Sequence, residues 1–273
     1  MNALLVYDVQ DEEGRNGEPR PFPFIPTIPS RRYAALLREV TGQSVVCYKA
    51  APTHIGDNFR GWLRETRRDF NIRYLSLVGS SSSEGDAPGP TLEEATRMAA
   101  TMEESEFVAI GGVTIPERHM AKGDEGHRLV QKTERGMHFF VSQIIYRPEA
   151  TVQMLRAYDR HCREKGIEPS LIALNFAPCG HRKTLQFMRW LGVDVPDAAE
   201  ERIFSADDPA GASVRLCRDN LAQILESTAD LRVPLGVAAE SVSKRGAEID
   251  ASVELLDVLQ DVFEDVSSRV VTT

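Results

Sequence analysis

Short apolar runs alternate with longer amphipathic segments along almost the whole of this chain, and that alternation leaves few folds open to it. The runs fall at Ala3 to Tyr7, Ser44 to Tyr48, Tyr74 to Val78, Phe107 to Gly111, His138 to Ile145, Leu171 to Phe176 and Val233 to Val237. They are rich in β-branched and aromatic residues, as strands of a parallel sheet covered on both faces are. Between them, apolar residues recur at helical spacing: Tyr33, Leu36, Leu37 and Val40, then Phe59, Trp62, Leu63 and Phe70, then Val152, Leu155, Tyr158 and Cys162. Gly42, Gly136, Gly166 and Gly192 stand where helices would end, and Thr91 with Glu94 forms a capping box. Strand and helix in regular succession predict α/β architecture with helices outside a parallel sheet. At 273 residues the chain suits a single-domain (β/α)8 TIM barrel over 1–273, with a short further strand expected near Val193 to Val195. A doubly wound sheet is the rival, but no GxGxxG follows the first strand.

Charge and composition exclude some functions. A net charge of −9 argues against a nucleic-acid partner, which needs a basic surface. No apolar stretch is long enough for a membrane span. The N-terminal residues show no basic leader, so the expected compartment is the cytoplasm. Cys47, Cys162, Cys179 and Cys217 lie far apart and read as reduced thiols. Glu117 and His119 have a spacing that suits a metal, but a third ligand is not evident, and no metal site is expected. Cys179 and His181 sit in one loop with no residue to orient them, so acyl transfer is not expected.

Two long segments follow strands: Asp11 to Ser30, with five prolines, and Gly79 to Pro90, rich in Ser, Gly and Pro. In a barrel, loops after strands build the catalytic face. The alternative for each is an ordered surface loop or a mobile linker.

Three segments in the middle of the chain carry a family resemblance. Gly112-Val113-Thr114-Ile115-Pro116-Glu117-Arg118-His119 is followed by Leu129-Val130-Gln131-Lys132-Thr133-Glu134-Arg135-Gly136-Met137, and then by Phe139-Phe140-Val141-Ser142-Gln143. In order and spacing they resemble the methylenetetrahydrofolate reductases. Weaker likenesses are Ile203-Phe204-Ser205-Ala206-Asp207-Asp208, expected after a seventh strand, and Ala239-Glu240-Ser241-Val242-Ser243 with Ala247-Glu248-Ile249.

The resemblance implies an NAD(P)H oxidoreductase that reduces the methylene bridge of methylenetetrahydrofolate to a methyl group. That chemistry needs an acid near the folate, a hydride donor and groups that fix the pterin. Asp8 stands where the family usually has a glutamate and is implied as general acid or as support for the cationic intermediate. Its side chain is shorter by about 1.5 Å, so Asp11 or Glu12 are alternatives. Gln143 is implied at the pterin, where an amide both donates and accepts; otherwise it bonds neighbouring backbone. Phe204 is implied to stack on the folate, or else is a core aromatic. Glu240 and Ser241 end the last strand, and Lys244 or Arg245 is implied at the glutamate tail, or they form a solvated turn. Lys132 matches a phosphate-contacting lysine, or lies on a solvated helix face.

Flavin-using relatives carry Arg-x-Asp after the third strand, and this chain has Gly79-Ser80-Ser81 there instead. The departure points to the flavin-free kind, without FAD. Backbone N–H groups of such a loop can cradle a dinucleotide phosphate, with Glu117 and His119 as a cofactor-side turn. Two alternatives stay open: a folate-dependent one-carbon enzyme of a specialised pathway or running in the oxidative direction, and a non-catalytic folate-binding barrel. The sequence leaves a homo-oligomer open.

Overall fold

Seven parallel strands form one sheet whose order is the order of the chain. They are β1 (Ala3–Val6), β2 (Ser44–Ala50), β3 (Tyr74–Val78), β4 (Ala109–Thr114), β5 (Phe139–Ile144), β6 (Leu171–Phe176) and β7 (Leu235–Ala239). The computed structural model describes residues 3–12, 14–15, 18–54, 58–79, 88–102 and 107–271. Sequential order is the mark of the barrel class of α/β fold, since a doubly wound sheet reverses its order partway. The fold class expected from the alternation is therefore the one observed.

Two expectations about its elements are corrected. Residues 193–195 form no strand, and β7 pairs directly with β6, from Ile172 opposite Leu235 to Phe176 opposite Ala239. Val193 and Val195 are buried, so their apolar pattern is real. However, the segment lies between the turn at Gly192 and Pro196, which opens the next helix, and is too short to do more than fill core space. The helices number ten among the described residues: α1 (Ser30–Thr41), α2 (Phe59–Arg68), α3 (Leu92–Ala100), α4 (Pro116–Lys122), α5 (Glu125–Glu134), α6 (Pro148–Lys165), α7 (Arg182–Trp190), α8 (Asp197–Phe204), α9 (Pro209–Ser227) and α10 (Gly246–Val271). Helices α4 and α8 were not anticipated. Phe204 consequently ends a helix rather than following a strand.

The contacts divide the chain into two compact units. The first comprises residues 1–15, 22–113 and 131–140. Strands β1 to β4 pair in parallel within it, in registers such as Val6 with Cys47, Val46 with Tyr74 and Leu75 with Ile110. Val6, Ala34, Val45, Cys47 and Ile72 form a core, with Leu4, Leu37 and Phe70 packed against it. The capping box of α3 is present, with Thr91 and Glu94 bonding each other's backbone N–H. Gly111 lets β4 approach β5: a Cβ there would lie 2.3 Å from the Phe139 ring.

The second unit comprises residues 16–21, 114–130 and 141–273. Met154, Leu155 and Tyr158 on α6 are fully buried, each contributing roughly 1.5–3 kcal/mol by leaving water. The helix stops at Gly166, whose φ of 68° places it in the left-handed region.

Candidate functional site

In the first unit, Asp8 follows β1 by two residues, and its Oδ2 accepts from Lys49 Nζ at 2.9 Å and from the Ala50 N–H at 3.0 Å. Both partners come from the end of β2. This position follows from topology, because β1 and β2 are neighbours with Val6 opposite Cys47. Lys49 also lies 5.8 Å from the centre of the Trp62 ring. Beside it, His54 meets Phe59 and Trp62 edge-on, at 5.3 and 6.3 Å. Burial, with the Lys49 and Arg31 charges, holds the His54 imidazole below its ordinary range. The first unit thus gathers the carboxylate of Asp8 and the ammonium of Lys49 at strand ends with the His54 imidazole and the indole of Trp62 on α2. Of these, sequence reasoning named Asp8 alone.

Gly79 follows β3, and a Cβ there would meet only Leu92, at an ordinary 3.8 Å. No close approach of the backbone demands glycine at that place. Ser80 and Ser81 lie outside the described residues. Lys132 does not sit on a solvated helix face. It is buried, its ammonium donates to the Val113 carbonyl at the end of β4 at 2.7 Å, and it lies 5.8 Å over the Phe140 ring.

In the second unit, Gln143 on β5 uses its amide on backbone, which is the plainer of its two anticipated roles. Nε2 donates to the Leu191 carbonyl at 3.3 Å, and Oε1 accepts from the Ile144 N–H at 3.0 Å. The contact ties the end of β5 to the turn after α7. Close by in sequence, Arg147 forks onto Asp194, at 2.7 and 3.3 Å.

Glu117 is the most unusual acid of this unit. Both its carboxylate oxygens are buried with no hydrogen-bond partner in any other residue. Burial pushes its pKa up to about 7, and the Asp194 charge adds to the rise. An unpaired buried carboxylate is costly when charged, so the site favours the protonated form. His119 Nδ1 is likewise buried with no hydrogen-bond partner, and burial, with the Arg160 charge, lowers its pKa. Glu117 and His119 lie on helix α4 and not on the turn expected from the sequence, and the start of that helix is fixed by Glu125. That fully buried carboxylate accepts from the Thr114 hydroxyl at 3.0 Å and the Ile115 N–H at 3.1 Å, and pairs with Arg118 and Arg128.

Glu240 directly follows β7, and its Oε1 accepts from Asn175 Nδ2 on β6 at 2.9 Å. Ser241 is exposed, its hydroxyl donating to the Ser243 carbonyl at 3.3 Å, and Lys244 is exposed beyond it. This loop is held by Glu248, buried at the start of α10. Its carboxylate accepts from the Gly180 N–H and the Thr184 hydroxyl, each at 2.8 Å, and from the Ser243 hydroxyl. Phe204 is partly buried under the Arg182 guanidinium, 4.7 Å from its ring centre. Cys179 and His181 are not a nucleophile–base pair. Burial raises the Cys179 thiol to about 12, and His181 Nδ1 accepts from the Lys183 N–H at 3.0 Å. The segment after β1 reaches α7, where the Trp190 indole donates to the Glu18 carbonyl at 3.1 Å and Arg20 lies 5.1 Å over the same ring.

Among the described residues no group of three or more His, Cys, Asp or Glu could hold a metal ion, and no helix is long and apolar enough to cross a membrane.

No protein-family model and no curated protein matches the chain. Among solved structures it is similar to an uncharacterized protein from Clostridium thermocellum that binds two copies of 5-methyl-5,6,7,8-tetrahydrofolic acid. The two are 27% identical with a TM-score of 0.79, over 96% of this chain and 84% of that one. The N-(5'-phosphoribosyl)anthranilate isomerase from Pyrococcus furiosus is 12% identical with a TM-score of 0.45, over 95% of this chain and 88% of that one, a likeness too loose to argue from.

Proposed function

We propose that this chain binds a reduced folate and serves the reduction of 5,10-methylenetetrahydrofolate to 5-methyltetrahydrofolate by NAD(P)H. The observation that carries the folate reading is the similarity, along 96% of the chain, to a protein that binds 5-methyltetrahydrofolate. That compound is the product of the proposed reaction. The motifs from Gly112 to Gln143, which resemble the methylenetetrahydrofolate reductases, support the choice of reaction.

The reduction consumes one hydride and one proton. Protonation of the folate opens the five-membered ring and leaves an iminium carbon, which takes the hydride to become the methyl group. A bound nicotinamide would supply the hydride. The described residues do not form a recognisable cradle for its phosphates. Lys132 is committed to the Val113 carbonyl, and Gly79 has no close neighbour that requires glycine. No step is therefore assigned through the dinucleotide. What the chain's own residues contribute in the first unit is the Asp8 carboxylate, held in place by Lys49 and the Ala50 N–H. A carboxylate so held suits stabilisation of the cationic iminium.

A second reading, a folate-binding barrel that does not catalyse hydride transfer, is favoured by the internal use of Asp8 and Gln143. The two separate in one pair of assays. Both readings require saturable binding of 5-methyltetrahydrofolate. The reductase additionally oxidises NADH or NADPH only when methylenetetrahydrofolate is present. Visible flavin absorbance in the purified protein would replace direct transfer by a flavin-mediated one.

A further inference from the structure

We infer that Asn175 and Glu240 together read the donor edge of a pterin, the 2-amino group and N3–H. The inference rests on the reduced-folate reading above and names the residues that would recognise the ring. Sequence reasoning singled out Glu240, but Asn175 was invisible to it, as one polar residue inside the apolar run Leu171 to Phe176.

The argument is an accounting of one residue's hydrogen bonds. Asn175 is 2% exposed. Its backbone N–H donates to the Ser142 hydroxyl at 2.9 Å, and its carbonyl accepts from the Ile145 N–H at 2.9 Å. Its Nδ2 donates to Glu240 Oε1 at 2.9 Å. Oδ1 alone is buried without a partner. Turning the amide over does not cure this, because it would set Oδ1 against the Glu240 carboxylate and leave the NH2 group unpaired. Glu240 therefore fixes the amide so that its oxygen is left as an unmet acceptor. A buried acceptor left unpaired costs free energy, and native chains rarely tolerate one without a reason.

The surroundings favour a ligand. Asn175 and Glu240 stand at the C-terminal ends of adjacent strands, where barrel enzymes bind substrates. The neighbouring β7 is only partly buried along its whole length, and a Cβ at Gly236 would meet nothing within 4 Å. The pair offers an amide oxygen and a carboxylate side by side. A tetrahydropterin offers adjacent N–H donors at its 2-amino group and N3. These match as acceptors to donors, and a carboxylate strengthens such bonds by its charge.

The test compares 5-methyltetrahydrofolate with its 2-desamino-2-methyl analogue, by equilibrium titration of the full chain. The wild-type protein is expected to bind the analogue about tenfold more weakly or worse, since loss of a donor leaves a buried acceptor unpaired. Asn175→Leu and Glu240→Gln are each expected to bind 5-methyltetrahydrofolate at least about tenfold more weakly and to lose most of the preference over the analogue. Glu240 is only partly buried, so Glu240→Gln keeps the test open if Asn175→Leu does not fold. Equal binding of the two ligands by the wild type overturns the inference and leaves folate binding intact, as does undiminished preference in the folded variants. Absence of binding to either ligand overturns the folate reading itself, and the inference with it.

Discussion

Lys49 Nζ lies 2.9 Å from Asp8 Oδ2, joining the end of β2 to the segment after β1. The acid that the family resemblance singles out is thus not a lone carboxylate at a strand tip. It is one half of a partly buried ion pair, anchored as well by the Ala50 N–H.

This pairing predicts a coupled pattern of stability. Lys49→Met leaves Asp8 charged without its cation and is expected to cost about 1–3 kcal/mol, and Asp8→Asn strands the ammonium at a similar cost. The double variant should lose less than the sum of the two. Urea denaturation of all four proteins checks it, and additive losses would show that the pair is not coupled. If the reductase reading holds, Asp8→Asn also lowers turnover strongly while leaving the protein folded. An unchanged rate removes Asp8 from the reaction.

Gln143 predicts two effects from one substitution. Gln143→Leu removes the acceptor for Ile144 N–H and the donor for Leu191, so stability should fall by about 1–2 kcal/mol. The family resemblance, which implies Gln143 at the pterin, predicts that affinity for 5-methyltetrahydrofolate falls too. Thermal unfolding and a folate titration read the two effects separately. Reduced stability with equal affinity would confine Gln143 to the scaffold.

Glu117 predicts a pH dependence. Burial pushes its carboxyl up to about 7 in the folded chain, from an ordinary 4.5. The folded state holds the proton more tightly, so the stability this contributes is full below about pH 4.5 and is lost as pH rises through about 7. Glu117→Gln carries no charge at any pH. Relative to the parent it should gain on the order of 3 kcal/mol between those limits. Parallel stability curves for the two proteins from pH 4.5 to 8 would contradict the assignment.

Glu248 predicts a loop phenotype. Glu248→Ala strands the donors of Gly180, Thr184 and Ser243, and unmet buried donors cost about 1–3 kcal/mol each. Stability should drop by about 3 kcal/mol or more, and trypsin should cut after Lys244 or Arg245 faster than in the parent. Unchanged cleavage would mean that Glu248 does not order that loop.

Local signals in the sequence translated well into local structure. Thr91 and Glu94 form the capping box that their spacing announces, and Gly42 and Gly166 end helices in the left-handed conformation. The alternation of apolar runs gave the sheet class because burial on both faces imposes it on each strand separately. The segment at Val193 and Val195 misled because an apolar pair looks the same in a strand and in a buried connection. The site was legible only in part. Asp8 and Lys49 are 41 residues apart, Asn175 and Glu240 are 65 apart, and Gly180 and Glu248 are 68 apart. Strand order brings such partners together, and no local pattern records them. Lys132 shows the converse: its helical position suggested a surface, and only the fold reveals the buried carbonyl that it serves.

The most direct measurement is an anaerobic calorimetric titration of the purified chain with 5-methyltetrahydrofolate. Saturable binding in the micromolar range is the expected result, weakened by Glu240→Gln. A flat titration with folded protein at high ligand concentration would contradict the account at its root.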